Sequence, residues 1–406
     1  MSSKPQQSKK DRARPGPGKD PGRKPNQRKA AAKAAARGGA PAPAAKAGGP
    51  KAAGGPKAAG GAKAASGAKA AQPAAWVVRS APGLGRTLLA ELRHDKLLGQ
   101  NDRADLLWQR NHDLLFAPRL ARMPQTHELR VAEDVHRCLV YGRYKVSDSQ
   151  LDRLAELLHG QRRRLVVTAD GRHFNRHDLA RFIGRELAAR GVKLDDSAKA
   201  PLLVFCIEQA YYACVPLRDA DATTGRDRRQ VEREGSLPPP IAAAMAFMTR
   251  PADDDTILDP VCGSGTLLAE AAGYAPAARL LGTDQDLQAV KTARRNLNSF
   301  AAAEIDHADA RALDLPDESV SLVLANLPFG KQYGDVAENR TLYTEVLREI
   351  RRVAAPRGFR AALLVSDRAL LRESAREAGL RVSHDTAIRV RGEDATIVLL
   401  ERPPKG

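Results

Sequence analysis

The chain has 406 residues, room for two or three domains, with 66 Lys and Arg against 48 Asp and Glu for a formal charge of +18. Residues 1–75 hold 17 of those bases and two Asp, so +15 belongs to an N-terminal tail and only +3 to the rest. No apolar run reaches the roughly 18 residues of a membrane span, no apolar core of a secretory signal follows the basic start, and Cys138, Cys206, Cys214 and Cys262 show no CxxC spacing. These features argue against a membrane protein, a secreted disulfide scaffold and a zinc site, and for reduced thiols in an intracellular, cytoplasmic chain.

The tail, residues 1–75, is Lys/Ala/Gly/Pro-rich with no aromatic before Trp76. It lacks the apolar surface to offset chain entropy and reads as disordered. Spaced lysines would displace counterions from a phosphate backbone without reading sequence; a merely solubilising tail is the alternative. From Trp76 the sequence becomes globular. Leu88, Leu89 and Leu92 mark a helix over 85–98, and Leu151, Leu154, Leu157 and Leu158 mark another. Leu165-Val166-Val167 reads as a strand, and 175–189 as a helix burying Leu179, Phe182, Ile183 and Leu187. PLLVFCIEQAYYACVPL reads as a hairpin breaking near Gln209-Ala210. Residues 76–217 are thus an α+β unit. Residues 218–236 are charged and aperiodic, a linker.

Residues 237–406 alternate strand and helix. A helix opened by Pro240 leads to the strand TILD, a helix from Gly265 to about Tyr274, the strand LLGTD and a helix over 287–300. Strands at 303–309 and 319–326, a helix at 342–353, the strand AALLVS, a helix at 370–377 and two closing strands near 381–390 and 395–402 follow. Such alternation predicts a mostly parallel sheet with an antiparallel edge.

The chemistry gathers at the strand ends. In DPVCGSGTLLAEAA, Gly263 and Gly265 let the backbone turn tightly after a strand that ends at Asp259. A second acid, Asp284, ends the next strand 19 residues after Gly265, a spacing that suits a ribose diol, and Asp309 ends the third strand region. Carboxylates lining a glycine loop repel phosphate, so the pattern suits a cationic nucleoside, S-adenosylmethionine, better than a dinucleotide. The plainer alternative is a tight turn with helix-capping acids. In the fourth strand, LANLPFGKQYG, Asn326 and a carbonyl beside Pro328 would accept from the exocyclic amine of a base, and Phe329 would stack on it. The alternative there is a plain turn ending a strand.

DPVCGSGTLLAEAA together with LANLPFGK resembles the class I methyltransferase domain of RNA guanine-N2 methyltransferases that carry an N-terminal THUMP domain. The likeness covers about residues 76–402. APGLGRTLLAEL and RRRLVVTADGRHFNRHDLARFIG match the ferredoxin-like and THUMP modules by pattern rather than by motif. The resemblance implies a Rossmann-like α/β methyltransferase sheet behind an α+β RNA-binding unit. It implies that Asp259, Gly263 and Gly265 cradle the methionine end of the cofactor, that Asp284 holds the ribose and Asp309 the adenine edge, and that Asn326 and Phe329 hold the guanine. Leu327 departs from the commonest motif, which has Pro there.

Arg162, Arg163, Arg164, Arg172, Arg176, Arg181, Arg185 and Lys193 crowd one stretch of the front unit with few aromatics. That favours shape and phosphate readout of folded RNA, a solvated helix face being the alternative. His173 and His177 are four apart but no third ligand accompanies them, so no metal is expected. The expected function is methyl transfer from S-adenosylmethionine to guanosine N2 in structured RNA, tRNA before 23S ribosomal RNA. Asn-Pro motifs also serve adenine N6 and protein glutamine, and a non-enzymatic RNA chaperone with a vestigial catalytic half is the remaining alternative. Oligomeric state is not encoded in any of these features.

Overall fold

The structure is a computed structural model describing residues 75–108, 112–124, 128–217, 235–327 and 336–404, with backbone only for 336–339. The expected tail lies outside the described residues up to Ala75, and so does the expected linker up to Gly235.

The front unit contains β1 (Ala75–Ser80), α1 (Gly85–His94), β2 (Asp105–Trp108), β3 (Asp113–Ala117), β4 (Asp134–Arg143), α2 (Asp148–Leu157), β5 (Arg162–Asp170), α3 (Arg176–Ala189), β6 (Lys193–Leu194), β7 (Pro201–Ile207) and β8 (Ala210–Pro216). Its eight strands form one sheet, β2-β3-β1-β4-β8-β7-β5-β6, so the two modules expected there share a continuous sheet. Local chemistry sets the helix ends. Asn175 Oδ1 accepts from the backbone N–H groups of His177 and Asp178 at the start of α3. Ser147 and Gln150 form a capping box on α2. Helix α1 stops short of the expected Leu98. Lys96 turns left-handed there, and Leu97 and Leu98 fold back to bond the Leu92 carbonyl.

Strand alternation divides this sheet's two faces. On one face Val140, Val204, Cys206 and Tyr211 pack against α2 and α3 through Leu151, Leu154, Ile183 and Leu187. The opposite face carries Val77, Leu114, Phe116, Phe205, Tyr212 and Cys214, a cluster with no helical residue. The sheet curls to close it. Phe116 and Tyr212, three strands apart in sheet order, bring their rings to 4.8 Å. His136 sits in this core, 3% exposed, against Phe205, with no described partner for either ring nitrogen. Burial, and then the Arg79 charge, pull its pKa from 6.5 to about 3. The unfolded chain therefore binds the proton first, and stability present above about pH 6.5 is lost as pH falls towards 3. Urea unfolding is expected to show about 2 kcal/mol less stability at about pH 5 than at about pH 7.5, and His136→Leu should flatten that slope.

The second unit follows: α4 (Pro239–Thr249), β9 (Thr256–Asp259), α5 (Thr266–Ala271), β10 (Arg279–Asp284), α6 (Leu287–Asn296), β11 (Ala303–His307), β12 (Leu322–Asn326), α7 (Val336–Val353), β13 (Arg360–Val365), α8 (Arg368–Glu377), β14 (Arg381–Val390) and β15 (Glu393–Glu401). The sheet runs β11-β10-β9-β12-β13-β15-β14, parallel through β13 and antiparallel at β15 and β14. Helix α5 is shorter than its sequence pattern suggests. Helix α8 starts two residues earlier than expected, because Asp367 caps it through the Leu370 N–H. One apolar core spans both units. Leu88 and Leu92 of α1 belong to the same cluster as Ile241 and Met245 of α4 and Leu267 of α5. At the far edge the Arg389 N–H of β14 donates to the Pro82 carbonyl of the front unit, 3.2 Å.

Candidate active site

In an open α/β sheet the crevice forms where strand order reverses direction. Here β9 leads outward to β10 and β11 on one side, and β12 returns on its other side. The reversal puts Asp259, last residue of β9, beside the end of β12. The register sets Val323 against Leu258, so Asn326 reaches past Asp259 over the crevice.

The loop after β9 is held from several sides. Gly263 and Gly265 both have positive φ, +54° and +80°. The Gly265 N–H bonds the Cys262 carbonyl at 2.7 Å, and a Cβ on Gly265 would stand 2.8 Å from Leu297. Only glycine fits that position. The Cys262 N–H donates to the Thr283 carbonyl, and Thr283 Oγ1 donates back to the Pro260 carbonyl. Asn296 Nδ2 donates to the Ser264 carbonyl at 3.0 Å. No motif marks Asn296 as a loop holder, and only the tertiary fold brings it there. At Gly263 a Cβ would meet open space. The backbone is open to close approach at that point.

The acids differ in state. Asp259 is 1% exposed, and among the described residues its carboxylate accepts from the Val261 N–H at 3.2 Å. Burial, and then the neighbouring Asp284 carboxylate, push its pKa well above the usual range. Asp284 is satisfied differently: its carboxylate accepts from the backbone N–H groups of Gly263 and Asp286, both at 2.9 Å. Asp309 lies two residues past β11. Arg311 grips both its oxygens at 2.6–3.0 Å and holds its pKa down.

Asn326 Oδ1 is buried with no donor from any described residue. An unpaired buried amide oxygen costs on the order of 1–3 kcal/mol. Leu327, the departure from the commoner motif, has a structural reason. Its N–H donates to the Leu364 carbonyl at 3.1 Å, carrying the β12–β13 ladder one residue past Asn326, and its side chain is buried. Proline could make no such bond. Pro328 and Phe329 lie outside the described residues.

The basic residues of the front unit do not share one surface. Leu165 and Val167 point to α3, so Arg163 lies on that side of β5, while Arg162 and Arg164 point the other way. Arg162 pairs with Asp195, Arg181 with Asp178 and Arg185 with Glu186. The Arg176 Nε–H donates to His177 Nε2 at 3.1 Å. Arg164, Arg172 and Lys193 have no carboxylate partner among the described residues, and Lys193 is exposed in β6. The four cysteines are buried and form no disulfide. Among the described residues no cluster of His, Cys, Asp or Glu could hold a metal, and no helix is long and apolar enough to cross a membrane.

A parallel sheet with a glycine loop after its first strand, acids at the next strand ends and an Asn at the fourth defines a class I methyltransferase domain. Residues 226–395 match the family model of the RMKL-like methyltransferase domain (UPF0020). The chain is 28% identical over 196 residues to the tRNA (guanine(6)-N(2))-methyltransferase THUMP3 of Bos taurus, covering 44% of this chain and 39% of that protein. It is 34% identical over 116 residues to the tRNA (guanine(10)-N2)-dimethyltransferase of Methanothermobacter thermautotrophicus, covering 28% of this chain and 34% of the other. The chain thus spans about two fifths or less of the curated relatives it matches. The crystal structure of TrmN from Thermus thermophilus superposes with a TM-score of 0.68 at 24% identity, over 81% of this chain and all of that one, which shows a common fold.

S-adenosylmethionine is the methyl donor of this class, supplying a methyl group on a sulfonium. The residues present fit it. The buried, under-satisfied Asp259 carboxylate is matched by a cation, the opening at Gly263 admits a ligand against the backbone, and Asp284 is held by two N–H groups with lone pairs left for a diol.

Proposed function

We propose that this protein methylates the exocyclic N2 of a guanosine in structured RNA, with tRNA ahead of ribosomal RNA, in the cytoplasm. The observation that carries the reading is Asn326 Oδ1, a buried acceptor with no described donor at the strand end beside the cofactor loop. An exocyclic amine is a weak nucleophile because its lone pair is delocalised into the ring. An acceptor on its N–H fixes the nitrogen for in-line attack, and the proton needs a strong base only after the methyl has begun to transfer. Pro328 and Phe329 complete the clamp in this reading, one pre-aiming a carbonyl and the other stacking on the base. Asp259, Gly263 and Gly265 take the methionine end, Asp284 the ribose and Asp309 the adenine edge.

Residues 76–217 serve as the RNA-binding unit and 237–406 as the catalytic unit, joined by 218–236. Arg162, Arg163, Arg164, Arg172, Arg176, Arg181, Arg185 and Lys193 give it phosphate contacts on more than one side, Arg163 on the α3 side of β5 and Arg162 and Arg164 on the other. Relatives named as tRNA and U6 snRNA guanine-N2 methyltransferases support the substrate class. The test is nucleoside mass spectrometry of RNA from cells lacking the protein. Loss of N2-methylguanosine from tRNA is expected. Unchanged N2-methylguanosine with loss of another methylated amine would overturn the guanine assignment.

Asp259 gives a pH signature. Its proton is lost only at raised pH, and the cationic donor favours the carboxylate. Affinity for S-adenosylmethionine is therefore expected to fall as pH is lowered through that titration. Calorimetry over a pH series should show the slope, and Asp259→Asn should weaken binding and remove the slope.

A further inference from the structure

A second group of buried ionisable side chains lies away from the crevice, where the front unit meets the catalytic unit. Glu91 of α1 is fully buried. Its carboxylate accepts from the Arg130 N–H at 2.9 Å, the Val131 N–H at 3.0 Å and the Tyr274 hydroxyl at 2.6 Å. The Arg130 guanidinium pairs with Glu270 at 2.8 Å, both largely buried, and lies 5.5 Å from the centre of the Tyr274 ring. Gly273 makes room: a Cβ there would fall 2.1 Å from Arg130 Cζ. Burial, and then Glu91, hold the Tyr274 hydroxyl protonated as a donor.

Two of these groups come from the front unit and two from α5 and the turn after it. Gly265 of the cofactor loop is the N-cap of that helix. Six residues make it about 9 Å long, so the loop and the buried cluster are the two ends of one short strut. Adhesion between the units is already supplied by the apolar core around Leu88, Leu92, Ile241 and Met245. A buried ion pair adds little net stability over apolar packing, but its directional bonds admit few orientations.

We propose that Arg130 and Tyr274 are positioning residues: the Glu91–Arg130–Glu270–Tyr274 cluster fixes the angle at which the front unit presents RNA to the methyl-donor crevice, acting through α5. The proposal rests on the RNA reading above. It assigns the cluster no contact with either substrate.

The test uses the full-length protein with Tyr274→Phe, which keeps the ring and removes one donor, and with Arg130→Met combined with Glu270→Gln, which removes both charges together. Both affinities, for S-adenosylmethionine and for total tRNA, should stay within about twofold, while single-turnover methylation slows by about 10- to 100-fold, as expected for misplaced reactants. Hydrogen exchange over residues 262–271, measured without RNA, should quicken in the double variant. An unchanged methylation rate would overturn the proposal, as would affinities falling in step with the rate. If the wild-type protein methylates no RNA, the functional reading fails on its own. Exchange then decides the coupling, and unaltered protection over 262–271 would refute it.

Discussion

Asn326→Ala is expected to abolish most methyl transfer, about 10²-fold or more in rate, while leaving the protein as stable as before or slightly more so. The two halves of that result come from one observation. The Oδ1 is buried at the end of β12 with no described donor, so in the free protein it is a cost of folding, and removing it relieves that cost. Its use arises only when an N–H arrives from a substrate. Single-turnover rates and thermal melts on the same preparation check both halves. Lost rate with a sharply lowered melting temperature would make Asn326 a structural residue. S-adenosylmethionine affinity should change little, because the loop at Gly263 and the Asp259 and Asp284 carboxylates remain in place.

Glu91→Ala is expected to have the opposite profile, a loss of about 3–5 kcal/mol of stability, the usual cost of breaking a buried charged network by removing one partner. Three donors would be stranded inside the protein: two backbone N–H groups, from Arg130 and Val131, and the Tyr274 hydroxyl. Backbone donors cannot turn to water without moving the chain. Denaturant unfolding followed separately at Trp76 or Trp108 and by circular dichroism checks the size of the loss. Glu91→Gln keeps an acceptor and should cost clearly less.

Much of the catalytic unit is legible in sequence because its signals are local. A strand-length apolar run ending in Asp, then glycines, then a helix pattern, marks the crevice without knowledge of the fold. The front unit is harder to read. Asp113–Ala117 is buried along its whole length, so β3 shows no alternation, and β2 before it is only four residues long. Neither strand stands out from the polar residues around it. The basic run at 162–164 reads as one patch in sequence, yet its lying in a strand sends alternate side chains to opposite faces. Leu327 could not be understood from its motif, because its reason is a carbonyl on β13, 37 residues away in the chain. The holding of Ser264 by Asn296 and the Glu91 cluster depend on contacts distant in sequence, and periodicity carries no trace of them.

The bond between Glu91 and Tyr274 has a consequence for synthesis. The two residues are 183 positions apart. At about 5–20 residues per second, a ribosome takes about 10–40 s to cover that distance. Over that time α1 can meet Val78 and Leu115 of its own unit, but not yet all of its neighbours in the second unit. Leu88 and Leu92 must wait, together with a carboxylate meant for the interior, until α4 and α5 emerge. The front unit is therefore born with one unfinished face, which closes only when α4 and α5 have been made.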